Sequence, residues 1–158
     1  MISSYLCILE DSLVKKLELL KRIEEKSLEQ SVMIKDNHIN PDLMDKNMDE
    51  KLKMIEEINS LDDGFEALYG KIKKELEEKK EQYKSQIRKL QGLIEKITEK
   101  SSSIQAIEAR NKSQMDLYFT KQKKELQSRK SAMSVARDYY QNMNKVKHVS
   151  PQFLDHKK

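Results

Sequence analysis

Three histidines and one cysteine are the side chains best suited to metal or nucleophilic chemistry, and their spacing supports neither. His38 falls in an expected loop, far in sequence from His148 and His156, and no pair has the separation of metal ligands. Cys7 has no second cysteine to pair with and no partnered histidine. It stands beside an apolar stripe, where the role of a small buried residue suffices. Carboxylates are plentiful, but they sit on solvated helix faces among lysines; acid–base catalysis needs two of them held in a dry cleft. The three glycines are isolated in helical contexts, so no phosphate-cradling loop is present. The chain is therefore not expected to be an enzyme, and no cofactor or metal is implied. The chemistry left to it is the burial of apolar stripes against other helices.

The main stripe lies between Tyr69 and Tyr140. In steps of seven, one seam runs Tyr69, Leu76, Tyr83, Leu90, Ile97, Ile104, Asn111, Tyr118. Its companion, four residues on, runs Lys73, Lys80, Ile87, Ile94, Ser101, Glu108, Met115. Such a repeat with charged flanks marks helices packed along their length. A helix of that span would be on the order of 100 Å long, too long to cover its own stripe.

Earlier in the chain, Ile2, Leu6, Leu9, Leu13, Leu17 and Leu20, continued by Ile23, Leu28 and Ile34, predict a first helix over about 2–36. Asn40 and Pro41 make a good cap and first residue for a second helix over about 41–77. Its Met-rich stripe of Leu43, Met44, Met48, Leu52, Ile55, Ile58 and Leu61 fits an adaptable core. Ser60 and Asp63 resemble a capping box, so a bend is expected at 60–64. The charged run from Lys73 to Gln82 permits either a continuous helix or a reversal, and the reversal could fall near 77–81 or back at Asp62–Gly64. A third helix is expected over about 79–142. Asn111 on its seam would fix register, and the stripe turns polar and basic past Tyr118. Met115, Tyr118, Phe119, Leu126, Met133, Val135, Ala136, Tyr139 and Tyr140 then form a thinly filled apolar face that another protein would complete.

The expected fold is all-α: an elongated antiparallel bundle, or coiled-coil hairpin, of three to four long helices. Residues 1–143 would form one elongated domain and 144–158 a mobile tail, broken by Pro151 and carrying Phe153-Leu154. No apolar run is long enough for a bilayer, the start lacks a basic leader, and a soluble cytoplasmic protein is expected. Charge is uneven: residues 1–70 hold 9 basic and 16 acidic side chains, whereas 71–158 hold 22 and 11. An acidic first half folding against a basic second half accounts for this. A nucleic-acid surface fits less well, because the lysines alternate with glutamates and no binding module is present.

Several segments resemble the FlgN-like flagellar export chaperones. They are the leading helix of about 35 residues, the run Met48-Asp49-Glu50-Lys51-Leu52-Lys53-Met54-Ile55-Glu56-Glu57-Ile58, the segment Leu61-Asp62-Asp63-Gly64-Phe65, and Ile107-Glu108-Ala109-Arg110-Asn111. Tyr139-Tyr140-Gln141-Asn142-Met143 and the tail Phe153-Leu154-Asp155-His156-Lys157-Lys158 look like members from anaerobic Gram-positive lineages. The likeness spans most of the chain, with a longer and more charged stretch here between 71 and 104. It implies a cytoplasmic chaperone that holds the helical terminus of a hook-associated or cap protein and delivers it to a type III export gate. Tyr139 and Tyr140 are the positions matching the family's gate-contacting tyrosine. The competing reading is a structural coiled-coil scaffold, a homodimer in which Asn111 meets its own copy or a fixed mate.

Overall fold

The computed structural model describes residues 1–36, 38–123 and 130–148. Every regular element among them is a helix: α1 (Ile2–Lys35), α2 (Pro41–Glu78), α3 (Lys84–Lys121) and α4 (Lys130–His148). The chain is an all-α helical bundle.

α1 buries Ile2, Leu6, Leu9, Leu13, Leu20 and Ile23 as its spacing predicts. From Lys16 on, the buried strip also takes in Lys16, Leu19, Ser27 and Gln30, whereas Leu17 is only half-buried and Leu28 is left 48% exposed. A straight helix turns once per 3.6 residues, so a strict seven-residue line cannot stay on one face. Cys7, expected beside the core, is exposed.

α2 starts where its cap predicts. The Asn40 side-chain oxygen accepts from the Asp42 and Leu43 N–H groups at 3.0 and 3.4 Å, and Pro41 needs no acceptor. The helix then runs through Ser60–Gly64 without restarting. Asp62, close to the expected cap, turns its carboxylate to the enclosed Lys16 ammonium of α1 at 2.8 Å instead. The chain reverses at residues 79–83, where the Lys79 N–H donates back to the Glu75 and Leu76 carbonyls. Much of the charged run thus lies in or beside a turn, where its side chains stay hydrated.

Cross-helix bonds set the directions. α1 runs parallel to α3: Glu24 meets Lys100 and Ser103, Ser31 meets Asn111, and Tyr118 reaches Ile39. α2 runs against α1, pairing Lys16 with Asp62 and Lys26 with Glu50. α1 packs along both α3 and α2, whereas α4 packs on α2 and, less extensively, on α3. The four helices therefore occupy the corners of a square, with α4 opposite α1. The expected charge complementarity between halves is met, among the described residues, by one ion pair, Lys100–Glu24 at 2.9 Å. Lys16–Asp62 and Lys26–Glu50 lie within the acidic half, and Lys51–Glu108 has the opposite polarity to that expected.

The single helix expected over 79–142 is divided. α3 ends at Lys121, and α4 doubles back beside it after a connector that includes 124–129. An unbroken rod would carry its apolar residues past the ends of α1 and α2 into water; reversal buries Ala136, Tyr139, Tyr140 and Met143. α4 also extends through 144–148, which were expected to belong to the tail. With 19 residues against the 38 of α3, α4 spans about 28 Å of a rod of about 57 Å. The fourth corner is filled over half the bundle and open over the other half.

Candidate partner-binding site

The structure gathers most of the sequence-predicted site residues, but encloses them. Asn111 and Met115 are 2% exposed, Tyr139 is 0%, and Phe119 and Tyr140 are 9%. Tyr118 and Met133 are half-buried. Leu126 lies outside the described residues. The seam expected to await a foreign helix is covered by α4, and Phe119, Met133, Ala136 and Tyr140 line the shallow crevice where α4 meets α3. This corrects the sequence expectation: the partner that completes the stripe after Met115 is the chain's own last helix.

All four helices meet beneath Tyr139. Lys51 of α2 is fully buried and donates to Gln30 Oε1 of α1 at 2.7 Å and to Glu108 Oε1 of α3 at 3.2 Å. The Tyr139 ring of α4 lies 4.1 Å from the same ammonium, a cation–π contact. Ser27 donates to Glu108 Oε1. The Asn111 amide donates to the Ser27 carbonyl at 2.9 Å and Gln30 Oε1 at 3.2 Å, while its oxygen accepts from Ser31 at 2.6 Å. Asn111 thus fixes register within one chain, against α1, and does not need a copy of itself. Burial depresses the Lys51 ammonium to about 8, opposed by the charge of Glu108. Burial, reinforced by that same carboxylate, raises both Tyr139 and Tyr140. Glu108 Oε2 and the Tyr139 hydroxyl are enclosed without a hydrogen-bond partner among the described residues. A buried pair that is incompletely satisfied adds little net stability, and its main effect is to penalise wrong registers.

Sequence reasoning missed Lys51 altogether, because a lysine inside a Met-rich stripe reads as a surface charge. Its period was the available signal: Met44, Met48, Lys51, Ile55 and Ile58 share one face.

The open half of the fourth corner is a cleft of about 260 Å³ between the end of α2 and the start of α3. Tyr69, Leu76, Ile87 and Leu90 supply its apolar lining, with Glu77, Lys80, Glu81, Lys84 and Arg88 around them. No α1 residue lines it, so it faces away from α1, in line with α4. Tyr69 stacks on Phe65 at 6.2 Å, and burial and then Glu77 raise its phenol. These are the first positions of the seven-residue seam, carried across the turn at 79–83. Among the described residues, no helix is long and apolar enough to cross a membrane. No protein-family model, no curated protein and no solved structure matches this chain.

Proposed function

We propose that this protein is a non-enzymatic helix-capturing chaperone of the FlgN-like flagellar export kind. In this reading it holds the amphipathic terminus of a hook-associated or cap protein in the cytoplasm and hands it to the export gate. One observation carries the reading: the fourth corner of the bundle is occupied beside the second half of α3 and vacant beside the first. A client helix laid over the part-exposed Tyr69 and Ile87, with the core residues Leu76 and Leu90 beneath, would continue the row begun by α4, burying its apolar face as helix-in-groove ligands do. The mixed charges around the cleft suit a helix flanked by both signs, as filament-junction termini built for coiled-coil contact would be.

The test is co-expression with hook-associated and cap protein termini followed by size-exclusion chromatography. Stoichiometric co-elution is expected. Tyr69→Glu with Ile87→Glu should weaken it at least ten-fold while the circular dichroism stays helical. Failure of every such terminus to co-elute overturns the proposal, and loss of helicity in the double variant would show the two side chains to be core.

A further inference from the structure

We infer that two copies of this chain pair back to back through the outer crevice between α1 and α2, related by a two-fold axis. The inference stands apart from the client reading, because this crevice shares no lining residue with the cleft between α2 and α3. The crevice holds about 330 Å³. Ile8 of α1 lies along it and is 53% exposed, and Leu61, Phe65 and Leu68 of α2 stand half-buried beside it. Four apolar side chains gathered in one groove exceed the scattered single exposures that are ordinary on a protein surface.

Gly64 supplies a second observation. It stands in the interior of α2, where glycine costs about 1 kcal/mol relative to alanine. A Cβ at this position would meet nothing within 4 Å, so packing inside the chain does not call for its absence. Ser12 and Ser60 line the same crevice. Small residues gathered where two helices meet let another backbone come close, a common use of a bare Cα.

Charge and level specify the occupant. Asp11 and Lys15 are exposed at the crevice, and neither has an ion-pair partner among the described residues. α1 and α2 run in opposite directions with Lys16 joined to Asp62, so equal rise per residue sets Phe65 level with Leu13, between Asp11 and Lys15. A two-fold axis through that level brings Asp11 of each copy to Lys15 of the other, and Ile8 of each copy close to Leu61 of the other. Ser12 and Gly64 fall next to the axis, where the two backbones come nearest. A face with an acid and a base on opposite sides of its centre is complementary to itself when turned end for end, as an isologous interface requires. An unrelated helix would have to reproduce that reversed order, whereas a second copy of this chain supplies it by symmetry.

The experiment follows the mass of the full chain by light scattering across a concentration series. The unsubstituted protein should rise from 18.7 kDa toward twice that mass. Asp11→Lys and Lys15→Asp, each alone, set like charges against each other at both contacts and should shift the rise to a concentration about ten-fold higher or more. An equimolar mixture of the two variants should restore it, because every contact between unlike chains is then opposite in charge. Gly64→Gln should remove the dimer while the monomer stays helical and melts no lower, since the new side chain enters open space within its own chain. A mass that stays at 18.7 kDa throughout, a mixture no better than its components, or a dimer indifferent to Gly64→Gln overturns the inference.

Discussion

The two halves of this rod solve the same packing problem with different chemistry. Toward the hairpin, α1, α2 and α3 meet through Leu6, Leu9, Ile72, Leu76, Leu90 and Ile94, and one enclosed ion pair, Lys16–Asp62, joins α1 to α2. Toward the other end a fourth helix is present, and the core holds Ser27, Gln30, Lys51, Glu108 and Asn111. Apolar contact is non-directional and would accept a slipped neighbour, whereas a buried ammonium accepts only a helix that brings its acceptors and ring to the right height. The complete half, with its larger buried polar cluster, is thus the more selective one, and the open half, held by Lys16–Asp62 alone, the more permissive.

Breaking that comparison begins with Glu108→Ala. It leaves the Lys51 ammonium buried without its carboxylate and should cost about 3–5 kcal/mol in urea unfolding. Replacing both partners, Lys51→Met with Glu108→Leu, should restore most of this, because the desolvation penalty goes with the charges. A double variant as unstable as the single would mean that the pair itself supplies stability. In the permissive half, Leu90→Ala should cost about 2–3 kcal/mol, toward the low end for a buried leucine because it borders an open cleft. A loss of similar size to that from Glu108→Ala would erase the distinction between the halves.

The pH dependence sharpens the contrast. Lys51 has a folded value of about 8 against an unfolded 10.5, so between these pH values the unfolded chain binds more protons. Stability should therefore rise from about pH 8 toward 10, by roughly 1–3 kcal/mol, relative to a Lys51→Met variant. Above pH 10 the raised Tyr139 and Tyr140 act in the opposite sense, since the unfolded tyrosines ionise first. Parallel profiles for wild type and variant up to pH 10 would remove Lys51 from the account. Tyr139→Phe keeps the ring over the ammonium and deletes a hydroxyl that lacks a partner, so unfolding should shift by no more than about 1 kcal/mol, toward stability. The smallest effect belongs to the part-exposed Lys26–Glu50 pair, where Lys26→Ala should leave the urea midpoint almost unchanged.

The legible features were local or periodic. Asn40 and Pro41 announced the start of α2 through cap chemistry alone. Leu90, Ile94, Ile97, Ile104, Asn111 and Met115 are buried where the repeat placed them, since a helix face is fixed once the period is known. Ser60–Asp63 misled because a capping box is read only when a helix is short of partners. Here Asp62 found Lys16 across the bundle and the helix had no reason to stop.

By itself, then, the sequence determined helices, their faces and the polar residue on the α3 seam. Those follow from backbone geometry and the burial of one side of each helix. The path after Lys121 was decided only in three dimensions. What places α4 is the seat that α2 and α3 offer to Tyr139 and Tyr140, and that seat is assembled from residues far away in sequence. The burial of Lys51 was decided the same way. Its charge is sustained by acceptors from α1 and α3 far away in sequence, and no window along the chain contains them together.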